Sequence, residues 1–240
     1  MLKSEALTKR FGDHVALDAL DLDIPAGEVF CLLGANGAGK STTIKLFLGF
    51  MRPTSGRAVI DGIDVASDPI AARRRTLYIP EQVALYDDLT GLENLGYFAT
   101  LAGIDGSSRA HLRACLDEAG LQAEAVDRRV GTYSKGMRQK VGVALAIAKG
   151  ATVLLLDEPT SGLDPQASAE FHDLVARRRD AGAAVLMATH DLFRARQIAD
   201  RIGVMRAGRL VLRVDAKTVS AQQFEALYLA EMGSAVPMTE

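Results

Sequence analysis

The protein has 240 residues, of which 48% are hydrophobic and 24% are charged, close to the usage of an average globular domain. This composition disfavours a disordered, collagenous or coiled-coil chain and provides enough apolar surface for a large buried core. Lysine and arginine number 28 against 30 aspartate and glutamate residues, so the net charge is -2 and no positive excess favours a nucleic acid as partner.

No apolar run in the sequence approaches the roughly 20 residues that a membrane-spanning helix needs. The first residues, MLKSE, lack the basic start and apolar run of a secretory signal, so we expect a cytoplasmic location. The two cysteines, Cys31 and Cys115, show neither CxxC spacing nor a nearby histidine pair, which favours plain packing over metal binding.

The first part of the chain favours strands. Residues 3–33 contain short apolar and β-branched runs, interrupted by turn residues at 12–13 and 25–27. Further on, two short apolar runs flank the dipeptide Asp61-Gly62, which suits a two-residue turn with positive φ at both positions. This pattern predicts a β-hairpin.

The rest of the chain alternates between helix and strand. Residues 85–149 carry the helical spacing of a buried face, for instance at Val141 and Leu145. The apolar runs 153–156 and 184–187 are each followed by a helical stretch, the alternation that builds a parallel sheet covered on both faces. The predicted fold class is therefore α/β.

Residues 34–41 have the sequence GANGAGKS, which matches the phosphate-loop pattern GxxxxGK[ST]. Its glycines allow the backbone to direct several N–H groups at phosphate oxygens, and a predicted strand before it and helix after it place the anion at a helix N-terminus. Lys40 is expected to contact the β- and γ-phosphates. A plain glycine-rich turn is the alternative. The candidate phosphate-binding residues are Gly34, Asn36, Gly37, Ala38, Gly39, Lys40, Ser41 and Thr42.

Two adjacent carboxylates follow the apolar run 153–156. Because neighbouring strand residues point to opposite faces, Asp157 and Glu158 are expected to have different roles. Asp157 would bind Mg²⁺ together with the hydroxyl of Ser41, and Glu158 would polarise the attacking water as a general base. A polar cap at the end of the strand is the alternative.

Two further polar residues are candidates for the same edge of the sheet. His190 follows the second apolar run, so it is expected to emerge beside the phosphate loop and contact the γ-phosphate, with a structural role as the alternative. Asp164 precedes Pro165, which predicts a helix N-cap followed by a proline in the first turn.

These motifs, together with the segment YSKGM at residues 133–137 and Gln82 after an apolar run, resemble the ATP-binding cassette (ABC) ATPases over nearly the whole chain. The resemblance implies a P-loop NTPase with a mainly parallel core sheet, an N-terminal antiparallel β subdomain and an inserted helical lobe. It implies one ATPase domain at 1–232, with a core lobe at 1–83 plus 151–232, a helical lobe at 84–150 and a flexible tail at 233–240.

The resemblance also implies how the site residues act. Members of the family bind two ATP molecules with Mg²⁺ between two subunits arranged head to tail, as a homodimer or a pseudo-symmetric heterodimer. Ser134 and Gly136 would contact the γ-phosphate across the interface. Gln82 would sense Mg²⁺ and the membrane partner, and Asp164 would link the two sites. Phe11 resembles the aromatic residue that stacks on adenine, with a core phenylalanine as the alternative.

The usual family segment is LSGGQ, whereas this chain has Lys135 at the first glycine and Met137 at the glutamine. Such variants resemble the compact ATPase subunits of bacterial ABC-2-type exporters. The implied function is that of an ATP-hydrolysing subunit that drives export through separate membrane-spanning subunits at the inner face of the cell membrane. An acidic rim of Asp87, Asp88 and Glu93 is a hypothetical contact for a basic partner.

Two other functions use the same phosphate loop. A soluble cassette ATPase in DNA repair or translation is the first alternative, although the segment between Lys40 and Ser134 is too short for the long coiled coil of the repair proteins. A kinase is the second alternative, but it leaves the YSKGM segment and His190 unexplained.

Overall fold

The computed structural model describes residues 1–104 and 108–233. The strands are β1 (Leu2–Phe11), β2 (His14–Ile24), β3 (Glu28–Leu33), β4 (Ser55–Ile60), β5 (Ile63–Asp64), β6 (Thr76–Ile79), β7 (Val153–Asp157), β8 (Ala184–Thr189), β9 (Arg201–Arg206) and β10 (Arg209–Asp215). The helices are α1 (Lys40–Phe47), α2 (Pro69–Arg75), α3 (Gly91–Leu101), α4 (Arg109–Glu118), α5 (Ala123–Val126), α6 (Lys135–Lys149), α7 (Pro165–Asp180), α8 (Leu192–Ile198) and α9 (Ala221–Gly233), with a short 3-10 helix at Val130–Thr132.

The central sheet has six strands in the order β10-β9-β3-β8-β7-β6. All neighbouring pairs are parallel except β9 and β10, which form an antiparallel hairpin at one edge. In a parallel sheet the carboxyl ends of the strands lie at one edge, where open α/β folds bind ligands. The loops after β3, β7 and β8, which carry the candidate site residues, therefore converge.

Side chains along the central strands alternate between two apolar cores, because successive strand residues point to opposite faces. Val29 and Cys31 of β3 belong to the core that includes helices α3, α4 and α6. Phe30 and Leu32 belong to the core that includes α1 and the second sheet. The predicted packing role of the cysteines is confirmed, since Cys31 and Cys115 are both buried and unpaired.

The second sheet is antiparallel, with the strand order β2-β1-β4-β5. The predicted hairpin is confirmed: Ile60 pairs with Ile63, and Asp61 and Gly62 have φ values of 50° and 80°. Pairing of β1 with β2 brings Phe11 opposite His14 at the tip of the first hairpin. That tip lies beside the loop that follows β3, so the second sheet contributes one wall of the candidate site.

Helices α3 to α6 lie between β6 and β7 in the chain, as the periodicity predicts. The start of α3 is fixed by a capping box, in which Thr90 and Glu93 exchange hydrogen bonds. The start of α6 is capped by Ser134, whose hydroxyl accepts from the N–H of Met137 at 3.3 Å. The division into a core lobe and a helical lobe stays a prediction, and residues 234–240 of the predicted tail lie outside the described residues.

Within residues 1–104 and 108–233, no helix has the length and apolar character needed to cross a membrane.

Candidate functional site

A cleft of about 420 Å³ lies at the carboxyl ends of β3 and β7, between the phosphate loop and the tip of the β1–β2 hairpin. It brings together all the phosphate-loop candidates except Gly34, along with Phe11 and the two carboxylates at the end of β7. Four lining residues were not predicted from the sequence, namely His14, Ala16, Ala35 and Glu81. His14 was accessible to sequence reasoning, because a tight turn at 12–13 places it opposite Phe11.

The glycines of the phosphate loop are required by close backbone approaches. A Cβ on Gly34 would lie 2.5 Å from the carbonyl oxygen of Met205, and one on Gly39 would lie 2.8 Å from that of Ala16. Gly39 also has φ of 108° and precedes α1 without a side-chain cap. The N–H groups of the first turn of α1 are thus left for another acceptor, which is the arrangement that binds phosphate.

Lys40 is 6% exposed and directs its ammonium into the loop. Its Nζ donates to the carbonyl oxygens of Gly34 at 2.6 Å and Ala35 at 3.2 Å, and lies 3.9 Å from Oε1 of Glu158. Burial lowers the pKa of Lys40, and the negative charges of Glu158 and Asp157 act in the opposite direction. Such a partly desolvated cation gains most from an anion that enters the cleft.

Asp157 ends β7 on the face that packs against α1, and its Oδ1 accepts a hydrogen bond from Ser41 Oγ at 3.4 Å. Burial raises the pKa of Asp157, while the hydrogen bond from Ser41 and the charge of Lys40 lower it in part. Two convergent hard oxygens beside a phosphate loop fit Mg²⁺, which prefers a few protein oxygens together with phosphate oxygens. The residues present therefore suit the predicted metal.

Glu158 lies beyond the end of β7 with φ of 47°, a left-handed conformation that is unfavourable for a residue with a Cβ. Both carboxylates line the same cleft at the end of β7. Their contacts differ, since Asp157 accepts from Ser41 of α1 and Glu158 accepts from Thr189 of β8. The difference in their roles stays a prediction. Strain of this kind is characteristic of functional positions.

The Glu158 carboxylate is held from two sides. Thr189 Oγ1 donates to Oε2 at 3.1 Å, and Nδ1 of His190 lies 2.9 Å from Oε1. Oε1 is buried yet has no aligned hydrogen-bond donor. The His190 side chain is 60% exposed, and it adjoins the cleft through Glu158 without lining it.

Phe11 is 50% exposed and lines the cleft, which excludes the alternative of a core phenylalanine. The Nζ atom of Lys9 lies 5.0 Å from the centre of its ring. An exposed aromatic face at the mouth of a phosphate site is suited to stack on a nucleobase.

The structure does not bring Gln82 to this cleft. Glu81 lines it instead, because Ser161 Oγ donates to Glu81 Oε1 at 2.9 Å and Lys135 Nζ lies 3.8 Å from the same oxygen. Gln82 lines a neighbouring apolar groove of about 240 Å³ along β6, α3 and α6. Consecutive residues of one loop thus face different sites.

Ser134 and Gly136 lie in a second cleft, of about 220 Å³, and do not line the phosphate-loop cleft. Asp164 accepts from the N–H of Ala167 at 2.8 Å, which confirms its predicted N-cap role. The first cleft therefore lacks the YSKGM residues within one chain.

The residues of the predicted acidic rim, Asp87, Asp88 and Glu93, are all exposed, and two of them have partners within the chain. Contact of this rim with a basic partner stays a prediction. Asp87 pairs with Arg138 at 2.7 Å, and Glu93 is engaged in the capping box, where hydrogen bonds with Thr90 lower its pKa. The Thr-x-x-Glu pattern at residues 90–93 is the sequence signal of the capping box that engages Glu93.

Residues 17–161 match the sequence pattern of the ABC transporter family, which covers more than half of the chain. The protein belongs to the ABC transporter family. A relative in this family is the daunorubicin/doxorubicin resistance ATP-binding protein DrrA of Streptomyces peucetius, which is 42% identical over 212 residues. That match covers 88% of this chain and 64% of DrrA, so the chain spans less than two thirds of the relative.

Solved structures of ABC cassettes share the fold. An ATP-binding subunit of an ABC transporter superimposes with a TM-score of 0.83 at 30% identity, covering 98% of this chain and all of the other. A dimeric ATP-binding cassette, solved in a post-hydrolysis state bound to ADP and Pi, gives a TM-score of 0.78 at 26% identity and covers 90% of this chain and 99% of the other. The predicted family and the predicted P-loop NTPase fold are confirmed.

Proposed function

We propose that the protein binds and hydrolyses ATP as the ATP-binding subunit of an exporter whose membrane-spanning subunits are separate chains. The observation that supports this proposal is that one cleft contains Lys40, the Ser41–Asp157 oxygen pair and the partly buried Glu158 carboxylate. Together with the aromatic face of Phe11, these are the groups that phosphoryl transfer from a nucleotide to water requires.

Nucleotide binding uses the loop and the start of α1. The phosphate oxygens accept from the N–H groups of the phosphate loop, and the Lys40 ammonium moves from the Gly34 and Ala35 carbonyls to the β- and γ-phosphates. Ser41 and Asp157 hold Mg²⁺, which neutralises charge on the phosphates when bound. Phe11 stacks on the adenine.

Hydrolysis depends on Glu158. Its buried Oε1 lies near His190 and Lys40 but has no aligned hydrogen-bond donor, so this oxygen accepts the proton of the attacking water, while Thr189 fixes Oε2. His190, adjacent to Oε1, keeps the carboxylate oriented and contacts the γ-phosphate through its exposed side. Gln82 and Glu81 adjoin each other on the loop after β6, so Gln82 relays occupancy of the cleft to the groove it lines.

Two copies of the chain complete the site. Ser134 and Gly136 lie outside the phosphate-loop cleft of their own chain, so they can contact a γ-phosphate only when it is bound by another subunit. The N-terminus of α6 then points at the phosphate. Asp164, in the turn that follows Glu158, links the two sites of this head-to-tail dimer, which is either a homodimer or a pseudo-symmetric heterodimer.

The membrane partner docks in the apolar groove at edge strand β6. The groove is lined by Ile79, Val83 and Leu145, and the exposed rings of Tyr86 and Tyr97 lie on the loop and helix beside it. An amphipathic cytoplasmic helix of a membrane subunit fits a surface of this kind. The protein is thereby held at the cytoplasmic face of the membrane.

The variant Glu158→Gln tests the catalytic part of the proposal. Loss of a general base lowers a rate by roughly 100-fold or more, so phosphate release should fall while ATP binding persists. ATP should then trap a dimer, detected by light scattering after size exclusion, because the bound nucleotide is no longer consumed. Glu118→Gln, which changes an exposed carboxylate on α4, should behave as the wild type.

Normal turnover by Glu158→Gln would refute its role as the base. The transport part is tested by purifying the tagged protein from detergent-solubilised membranes of its host and identifying its partners by mass spectrometry. A polytopic membrane protein in stoichiometric yield is expected. Recovery with ribosomes or DNA-repair proteins would favour the soluble alternative.

A further inference from the structure

Lys135 is the first residue of α6, a position where a cation is unfavourable because the N–H groups of the helix start already carry partial positive charge. Its ammonium is nevertheless well placed. Nζ donates to the carbonyl oxygen of Ser161 at 2.6 Å and lies 3.8 Å from Oε1 of Glu81. The side chain is 28% exposed, so these contacts are partly shielded from water.

The acceptor of this hydrogen bond belongs to the turn that carries the proposed base. We call residues 158–164 the post-β7 turn. Within it, the N–H of Ser161 donates to the carbonyl oxygen of Glu158 at 3.1 Å. Ser161 therefore bridges the two residues: its carbonyl oxygen accepts from the Lys135 ammonium, and its N–H donates to the carbonyl oxygen of Glu158.

A second cation also donates to the backbone of this turn. Arg194 of α8 donates to the carbonyl oxygens of Thr160 and Leu163. Ser161 also anchors the turn to the loop after β6, through its hydroxyl bond to Glu81 at 2.9 Å. The turn is thus fixed between α6, α8 and the loop that carries Gln82.

Glu158 needs such support, because its φ of 47° is a strained conformation. Strained residues persist only where their surroundings determine the backbone strongly. Loss of one anchor should let the turn relax towards an ordinary conformation and move the carboxylate away from the position in which Thr189 and His190 hold it.

We propose that Lys135 is a positioning residue for Glu158, which fixes the post-β7 turn to the start of α6 and so makes the hydrolysis rate depend on how the helical segment sits against the sheet. This inference rests on the proposed ATPase function. It gives the lysine, which replaces a glycine of the usual family segment, a role within its own subunit and not only across a dimer interface.

The test compares Lys135→Met, which keeps the aliphatic stem, Lys135→Arg, which keeps the charge, and Lys135→Gly, which restores the usual family residue. The matched control is Lys149→Met, since Lys149 lies on the same helix and also donates to backbone carbonyls, those of Arg73 and Thr76. Each variant is measured for thermal unfolding, ATP affinity, kcat and KM.

We expect Lys135→Met and Lys135→Gly to lower kcat about tenfold with ATP affinity within about twofold, because a small displacement of a catalytic group costs rate and not ground-state binding. Lys135→Arg should recover most of the rate. Lys149→Met should keep the wild-type kcat.

Combining Lys135→Met with Glu158→Gln tests whether Lys135 acts on the rate through Glu158. In single-turnover hydrolysis, Lys135→Met combined with Glu158→Gln should be no slower than Glu158→Gln alone, since residues that act as a unit are non-additive. An equal further loss in that background would overturn the inference. So would unchanged kcat in Lys135→Met, or a loss confined to ATP-driven dimerisation.

These outcomes are distinct from failure of the proposed function. A folded wild-type protein that does not hydrolyse ATP would refute the function and, with it, the role of Lys135. An active wild type with equally active Lys135 variants would refute the inference alone.

Discussion

The phosphate-loop cleft and the cleft at the start of α6 are both assigned to the same nucleotide, yet their chemistry differs. The first contains three buried or partly buried ionisable groups, Lys40, Asp157 and Glu158, close enough for their charges to interact. In the second, the ionisable pair Lys140 and Glu170 is already joined at 2.8 Å. Its remaining polar groups are neutral.

This difference indicates a division of labour. Buried charges without full compensation are costly, and they are kept where a reaction or a charged ligand needs them. A capped helix start offers an anion hydrogen bonds and a favourable dipole but no group that could transfer a proton. The first cleft is therefore suited to bond cleavage, and the second to recognition of a phosphate brought by another subunit.

The substitution Ser134→Asp distinguishes the roles of the two clefts with the largest expected effect. Aspartate caps helices as well as serine does, so α6 should keep its stability, but its negative charge opposes an incoming phosphate. We expect ATP-dependent dimerisation and hydrolysis to fall about 100-fold or more, with ATP affinity of the monomer unchanged. Size exclusion in the Glu158→Gln background and phosphate release measure the two effects.

The control for this substitution is Ser108→Asp. Ser108 caps α4 in the same way, accepting from the N–H of His111 at 3.3 Å, but lies in neither cleft. It should leave hydrolysis unchanged. Wild-type activity in Ser134→Asp would contradict the role of the second cleft, and loss of ATP binding by the monomer would show that the clefts are not separate.

A smaller effect is expected at the mouth of the first cleft. Phe11→Ala removes the proposed stacking surface and should weaken ATP binding about tenfold while leaving kcat unchanged, since stacking on an aromatic ring contributes to binding and not to chemistry. Titration with ATP under non-hydrolysing conditions measures this. Phe50→Ala, which removes a ring 63% exposed outside the cleft, is the control. If Phe11→Ala bound ATP as tightly as the wild type does, stacking of the adenine on Phe11 would be excluded.

Sequence reasoning succeeded where a few adjacent residues determine the geometry. The phosphate loop needs glycine for close backbone approaches, so its pattern identifies both its fold and its ligand. The same holds for the Asp61-Gly62 turn and for the N-cap at Asp164, each of which depends on residues within one turn of chain.

It failed where a contact between distant segments overrides the local pattern. The strand pattern does not predict that the Glu158 carboxylate accepts a hydrogen bond from Thr189 at the end of β8. Nor does it predict that Glu81 lines the phosphate-loop cleft, where its carboxylate accepts from Ser161, eighty positions later in the chain. No local pattern encodes either contact.

The smallest expected effect is on stability. It is tested with two carboxylates whose pKa values are shifted in opposite directions, Asp157 and Asp200. Burial raises the pKa of Asp157 above its ordinary value, so the folded state binds its proton more tightly than the unfolded chain does. Stability therefore falls as pH rises through the window between the ordinary and the raised pKa, and the loss persists at neutral pH. Asp157→Asn removes this cost and should raise the unfolding temperature by a few degrees at neutral pH.

Asp200 provides the matched control with the reverse sign. Burial acts to raise its pKa, but hydrogen bonds from the Val29 N–H and from Lys217 prevail and lower it. Its carboxylate stabilises the fold above the ordinary pKa, and that contribution is lost as pH falls through the lowered one. Asp200→Asn should thus destabilise the protein at neutral pH. Thermal unfolding at neutral and mildly acidic pH should show the gain from Asp157→Asn shrinking on acidification. If the rise in unfolding temperature caused by Asp157→Asn were the same at every pH, its cause would be packing and not the desolvated charge.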